Sequence, residues 1–364
     1  MTIHREPFED LFVLEIANNH WGKVDRGLRI IEEYGQVVRF NGVRAALKLQ
    51  FRDPETFIHR DHRDRTDIRY ISKTEATYLA REDFAVIVEA VRKAGCIPMA
   101  TPFDEASVEL CGDLDLPLVK LASSDLNDWV LIEKIATLGV PVIASTGGST
   151  LKDVDDLVTF FANRHIPLAL NHCVSLYPSE DSELEINQID FLRNRYPDLT
   201  IGFSTHEYAD WTASIMIAYA KGARTFERHV DIDDGEHEVS PYCSLPGQVD
   251  EWFKAFWKAK EMCGAPGTSK RIPPKREVEY LDALIRGVYA RRDLVEGDLI
   301  TDDDVYLAVP LLQGQMSCRE LIAGTRMVQG IRADEPVLVA DVAGPYLESP
   351  ALRRLIEHRG LPRE

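Results

Sequence analysis

The chain holds no apolar run of the roughly 18 residues that a bilayer-spanning helix needs. Its N-terminal stretch, MTIHREPFED, lacks the basic and apolar regions of a secretory signal, so a cytoplasmic location is expected. Cysteine is scarce and scattered: Cys96, Cys111, Cys173, Cys243, Cys263 and Cys318 form no CxxC pair. That excludes a zinc ribbon or disulfide framework and leaves reduced thiols in packing positions. Positive charge is in deficit, with 42 Lys and Arg against 60 Asp and Glu and a formal net charge of -18. Such a surface repels nucleic acid and anionic lipid, so neither is an expected partner, and an anionic substrate would need a local basic pocket. No GxGxxG follows the first apolar segment, which argues against a dinucleotide-binding fold.

What the sequence does have is a repeated alternation. Eight apolar segments of strand length run through Leu11 to Ala17, Val43 to Gln50, Cys96 to Thr101, Leu116 to Ala122, Pro141 to Ser145, Pro167 to His172, Thr200 to Ser204 and Arg224 to His229. Between them lie helical stripes such as Leu28, Ile31, Gly35 and Val38, or Val249, Trp252, Phe253 and Phe256. Eight alternations in about 250 residues fit a closed (β/α)₈ TIM barrel better than an open sheet.

The barrel is expected over residues 1–265, followed by a polar Pro- and Gly-containing linker over 266–282. Residues 283–345 contain two similar units, RGVYARRDLVEGDLITDDDV and RMVQGIRADEPVLVADV. Each reads as a short strand, an acidic turn and a second strand, hence a small β-rich domain with an internal pseudo-repeat. The C-terminal tail, 346–364, carries a helical run from Ala351 to His358.

Every strand of such a barrel ends, at the rim where active sites gather, in a residue that can bind or react. In order these are Glu15, Lys48 and Gln50, Thr101, Lys120 with Ser123 and Asp125, Ser145, His172, Ser204 with His206, and His229. Two lysines stand inside apolar strands, in Ala46-Leu47-Lys48-Leu49-Gln50 and Leu118-Val119-Lys120-Leu121-Ala122. A strand lysine either snorkels to solvent or answers an anion, and two at one rim imply an anionic ligand such as phosphate or carboxylate. His206 and His229 follow successive strands and are either core histidines or ligands of a divalent metal. The adjacent His172 and Cys173 point to opposite faces of one strand and make no catalytic pair. The run His59 to Arg65 is read as a solvated loop, with a lid over an anionic site as the alternative.

At these residues the chain resembles the sialic acid (N-acetylneuraminate) synthase family, which condenses phosphoenolpyruvate with a hexosamine to make nonulosonic acids. The motifs LEIANNHWG, ALKLQF, ATPFD, VKLASSDLND, VIASTGG, NHCVSLYPS, IGFSTHE and FERH occur in order, and the small domain is similar to the SAF (antifreeze-like, β-clip) domain of these synthases. The resemblance implies a transferase that uses phosphoenolpyruvate and an aldose, with His206 and His229 holding Mn²⁺ or Mg²⁺. It implies that Lys48, Gln50, Thr101, Lys120, Ser123, Ser145 and Ser204 bind phosphoenolpyruvate, that Glu15, Phe103 and Tyr177 face the sugar, and that Asp125 orients water. Ser175 stands where the family has Asn, Ser240 lies nearest its expected Asp with Glu236 or Glu238 as substitutes, and Val309 replaces an arginine. A homodimer in which each SAF domain caps the partner's barrel is also implied. Two other readings are a metal-dependent pyruvate aldolase on the same barrel and a non-catalytic sugar-binding barrel.

Overall fold

The structure, a computed structural model, describes residues 7–265 and 267–363. The strands are β1 Leu11–Ala17, β2 Arg44–Phe51, β3 Ile97–Pro102, β4 Val119–Leu121, β5 Val142–Ser145, β6 Leu168–Cys173, β7 Thr200–Thr205 and β8 Thr225–His229. They pair in parallel in sequence order, and β8 closes on β1 to complete the barrel. The expected fold class is therefore the one observed.

Alternation along the strands separates two cores. Leu11, Val13, Ala46, Met99, Leu118, Ile143 and Ala169 turn inward and, with Phe8, plug the barrel interior. Phe12, Leu14, Leu47, Leu49, Leu170, Phe203 and Phe226 turn outward against the helices, where Trp252, Phe253 and Phe256 of the helix Pro246–Cys263 surround the Phe12 ring. The next inward positions toward the C-terminal ends are polar: Glu15, Lys48, Thr101, Lys120, Ser145 and Glu227, all buried. An apolar plug thus carries a polar layer at the rim.

One glycine is dictated by this layer. The Thr225 hydroxyl donates to Asn171 Oδ1 at 2.5 Å across β7, and a Cβ on Gly202 would lie 1.8 Å from the same hydroxyl. Only glycine lets β6 and β8 join over β7 at that level. The rim turns are fixed by side-chain caps. Asp104 accepts from Ser107 N at 2.8 Å and from Asp53 N at 2.9 Å, tying the loops after β2 and β3 together.

The chain divides at Gly264 and Ala265 into two compact units. In the second, β9 Gly287–Ala290 pairs antiparallel with β10 Val305–Ala308 around a core that includes Leu294, Ile300, Met316, Met327, Val337 and Val342. The second expected strand pair is not formed as such: Leu294 with Ile331, Leu299 with Arg326, and Met327 with Val342 meet only as isolated bridges. Tight turns and core packing carry that half in place of a continuous ladder. Two further differences concern the connecting segments. The polar linker contains a helix, Lys275–Asp282, supported by a Lys275 to Glu279 pair at 3.3 Å, which its Pro and Gly content conceals. The tail helix Pro350–Glu357 places Ile356 in the small core, and Arg359 pairs with Glu320 at 2.8 Å. No helix among the described residues is long and apolar enough to cross a membrane.

Candidate active site

The ends of β1, β2, β4 and β8 bring two acids and two lysines into one buried network. Lys48, 2% exposed, is ion-paired with Glu15, lies 3.4 Å from Glu227 and donates to Thr101 Oγ1 at 3.0 Å. Lys120 donates to the other Glu227 oxygen at 2.5 Å. Burial raises the Glu227 carboxyl, but Lys120 and Lys48 overcome it and hold the group at about 2. Burial pulls the Lys48 ammonium down to about 7 against the pull of Glu227, with Lys120 adding to the fall.

Glu15 and Glu227 pair both lysines within the chain, so burial alone does not require an outside anion. Glu227 is also the residue that the strand-end inventory missed. The signal was present in Thr225-Phe226-Glu227-Arg228-His229, where period two puts Thr225, Glu227 and His229 on the inner face. Arg228 correspondingly turns outward, with Nη1 at 2.8 Å from Glu207 and Nε donating to Ser244 Oγ at 2.8 Å.

Beside the network the histidines meet. Their ring centroids are 5.4 Å apart, with Tyr177 3.9 Å from His206 and 5.8 Å from His229. His206 Nδ1 is 2.9 Å from the Val174 carbonyl, so the proton resides on Nδ1 and the Nε2 lone pair is free. Burial keeps His206 neutral down to about 4; burial and then His206 itself hold His229 well below its usual range. Two neutral imidazoles suit a divalent ion. Among the described residues no group of three or more His, Cys, Asp or Glu is arranged to hold a metal.

Across the rim the loop after β5 threads between serines. Gly147 N donates to Ser123 Oγ at 3.1 Å, and a Cβ on Gly147 would lie 2.2 Å from Ser175 Oγ. Ser145 Oγ is buried without a hydrogen-bond partner among the described residues, while Ser204 is buried at the end of β7. Asp125, on the turn Ser123–Asp125, has a buried Oδ2 with no hydrogen-bond partner among the described residues, and burial raises its carboxyl to about 6 although Ser124 opposes the shift.

The remaining positions singled out in the sequence have the following surroundings. The Phe103 ring is covered by the Arg52 guanidinium, 3.7 Å from its centroid, and Arg52 Nη1 donates to Gln50 Oε1 at 2.8 Å. Ser240 lies in the loop after β8, where its carbonyl accepts from Cys243 N at 2.8 Å. Glu236, its suggested substitute, is an exposed partner of Lys23 at 2.9 Å, so it is engaged at the surface. His172 bonds the Leu184 carbonyl at 2.8 Å and stacks on Phe203, apart from Cys173. The segment His59 to Arg65 is mostly exposed and pairs locally, Arg63 with Glu55 at 2.7 Å and Arg65 with Asp67 at 2.6 Å.

A closed (β/α)₈ barrel with an ion-paired lysine network, a serine-lined loop and apposed imidazoles at its C-terminal rim is built as an enzyme. The chain belongs to the NeuB family, whose sequence model matches residues 41–265, and the SAF domain model matches residues 285–343. It is thus a nonulosonic acid synthase-like enzyme of the transferase class. It is 30% identical over 285 residues to N-acetylneuraminate-9-phosphate synthase of Drosophila melanogaster, covering 74% of this chain and 72% of that one. Bacillus subtilis spore coat polysaccharide biosynthesis protein SpsE is 25% identical over 351 residues, 91% of this chain and 92% of that one. Among solved structures, a Chromobacterium violaceum protein described as spore coat polysaccharide biosynthesis protein E superposes with a TM-score of 0.88 at 35% identity, covering 92% of this chain and all of that one.

Proposed function

We propose that the chain condenses phosphoenolpyruvate with the open-chain form of an aldose of hexosamine type, giving a 2-keto-3-deoxy sugar acid and phosphate. The observation that carries this reading is the apposition of the two neutral histidines to the Lys48, Lys120, Glu15 and Glu227 network. One side suits an electrophile and the other an anion.

A divalent ion on His206 and His229, Mn²⁺ or Mg²⁺, would supply Lewis acidity to the aldehyde oxygen. Lys48 and Lys120, with Thr101, Ser123, Ser145 and Ser204, would hold the carboxylate and phosphate of phosphoenolpyruvate. The internal acids preorganise the two ammoniums, so little reorientation accompanies anion binding. C3 of the enol then attacks the aldehyde carbon, and positive charge develops at C2 near the buried carboxylates. Asp125, whose carboxyl lies close to neutrality, would orient water onto C2. The adduct collapses with cleavage of the C2–O bond and departure of phosphate. Glu15 is assigned proton transfer on the sugar side, Gln50 and Ser175 join the groups that hold phosphoenolpyruvate, and Phe103, Tyr177 and Ser240 face the sugar. A homodimer with its SAF unit over the partner's barrel belongs to the same proposal, with Val309 in place of the family's arginine.

The test is phosphate release measured with phosphoenolpyruvate, a divalent metal and candidate hexosamines together and singly. Release should require all three components. Consumption of pyruvate in place of phosphoenolpyruvate would overturn the proposal in favour of an aldolase.

A further inference from the structure

The two rim histidines have chain neighbours of opposite charge, and those charges meet. Glu207 follows His206 and Arg228 precedes His229, so period two turns both away from the barrel interior, behind the imidazoles. Arg228 Nη1 donates to Glu207 Oε1 at 2.8 Å, Nη2 to the Glu207 backbone carbonyl at 2.8 Å and Nε to Ser244 Oγ at 2.8 Å. Both side chains are 1% exposed. Ser214, in the first turn of the helix Ala213–Ala220, donates to the same carboxylate oxygen as Nη1.

The β7–β8 ladder stops short of His206. Its register runs from Gly202 opposite Thr225 to Thr205 opposite Arg228, and β7 ends at Thr205. His206 therefore lies one residue past the ladder, whereas His229 is still in register with Glu15 of β1. The Arg228 fork bridges that gap, from the residue just before one imidazole to the side chain and backbone of the residue just after the other. Ser244, which accepts from Nε, also donates its backbone N–H to the His229 carbonyl at 2.8 Å. The one guanidinium thus ties into the backbone beside each ring. Stability does not account for such a pair, because apolar side chains of similar volume often serve the fold as well or better. Glu207 Oε2 is moreover buried with no hydrogen-bond partner among the described residues. What the planar fork supplies is direction, since it fixes both the distance and the angle of the groups it binds.

We infer that Glu207 and Arg228 are a positioning pair, which sets the spacing of the two imidazoles, 5.4 Å between ring centroids, for one divalent ion to be held between them. The clasp acts on the backbone, while the Val174 carbonyl, 2.9 Å from His206 Nδ1, orients that ring. The ion belongs to the condensation reading, on which that part of the inference rests. The spacing belongs to the chain itself and is read without metal.

The experiment uses the full chain and compares the parent with Arg228→Lys, with the apolar double variant Glu207→Leu, Arg228→Met, and with His206→Ala. Urea unfolding followed by tryptophan fluorescence reads the barrel unit, where all the tryptophans lie. Calorimetry with Mn²⁺ alone reads metal affinity, and the ¹⁵N shifts of labelled histidine read the rings without metal. The double variant should unfold at a urea concentration no lower than the parent, because both buried charges are gone. It should nonetheless bind Mn²⁺ roughly ten- to a hundredfold more weakly, the loss expected when the groups supporting a metal ligand are removed. Arg228→Lys keeps the charge that Glu207 needs but replaces the fork by a single nitrogen, so it should fold even where the double variant does not, and it too should bind Mn²⁺ more weakly. Parent-like Mn²⁺ affinity in the folded variants overturns the inference. A parent that binds no Mn²⁺, or a His206→Ala that still binds it, sinks the metal reading instead. The clasp is then decided by the histidine ¹⁵N shifts, which the folded variants should move and which, left unmoved, overturn it.

Discussion

Removing the Glu227 carboxylate perturbs the whole polar layer at one point. In Glu227→Gln, Lys120 loses the acid at 2.5 Å and Lys48 the one at 3.4 Å. Lys48 keeps Glu15, so the uncompensated charge falls on Lys120. Leaving one partner of a buried pair alone costs about 3–5 kcal/mol. The intact network contributes far less. Glu227, held at about 2 in place of 4.5, adds stability above pH 4.5 that is lost as the pH falls toward 2, on the order of 3 kcal/mol. Lys48, at about 7 in place of 10.5, opposes this by on the order of 5 kcal/mol, a penalty complete below pH 7 that fades as the pH rises to 10.5. The two nearly offset at neutrality, whereas breaking the pair does not. All five tryptophans, Trp21, Trp129, Trp211, Trp252 and Trp257, lie in the barrel unit, so urea unfolding followed by their fluorescence reports on it alone. The single variant should lose about 3–5 kcal/mol and the double variant Lys120→Met, Glu227→Gln distinctly less. A single variant within about 1 kcal/mol of the parent would refute the account of the network.

Four other outcomes follow from the same geometry. Asp125 takes up a proton below about pH 6, so the acid limb of kcat should fall there and vanish, with lower turnover, in Asp125→Asn; a limb that persists in the variant assigns it elsewhere. Because burial raises that carboxyl in the fold, protonation between pH 6 and 4 should stabilise the barrel, not weaken it. Gly147→Ala sets a Cβ 2.2 Å from Ser175 Oγ and 3.0 Å from Ser123 Oγ, and should raise KM for phosphoenolpyruvate about tenfold with thermal stability reduced by roughly 1–3 kcal/mol; an unchanged KM would remove the loop from the anion side. His206→Ala should abolish Mn²⁺ binding seen by calorimetry, and retained binding would dissociate the histidine pair from any metal.

Much of the barrel was legible because its strands alternate so plainly. The eight apolar segments read from sequence coincide with β1 to β8 to within a few residues, since each needs one face for the helices and one for the interior. Most of the candidate residues sat at strand ends, where topology alone gathers them. Glu227 escaped because it was read inside a motif and not counted by face. Arg52 escaped because nothing in its sequence context says that its guanidinium would lie over the Phe103 ring. The second SAF strand pair and the helix Lys275–Asp282 were misjudged for a common reason: short segments with mixed polarity take their conformation from packing that periodicity does not record.

The central claim concerns which bond breaks. With phosphoenolpyruvate carrying ¹⁸O in the oxygen that bridges C2 and phosphorus, C–O cleavage sends the label out with the inorganic phosphate, and mass analysis of the released phosphate reads it directly. The account predicts label in the phosphate, release dependent on the aldose, and none from His206→Ala. Label retained in the keto acid product, or phosphate released at the same rate by the variant, would contradict it.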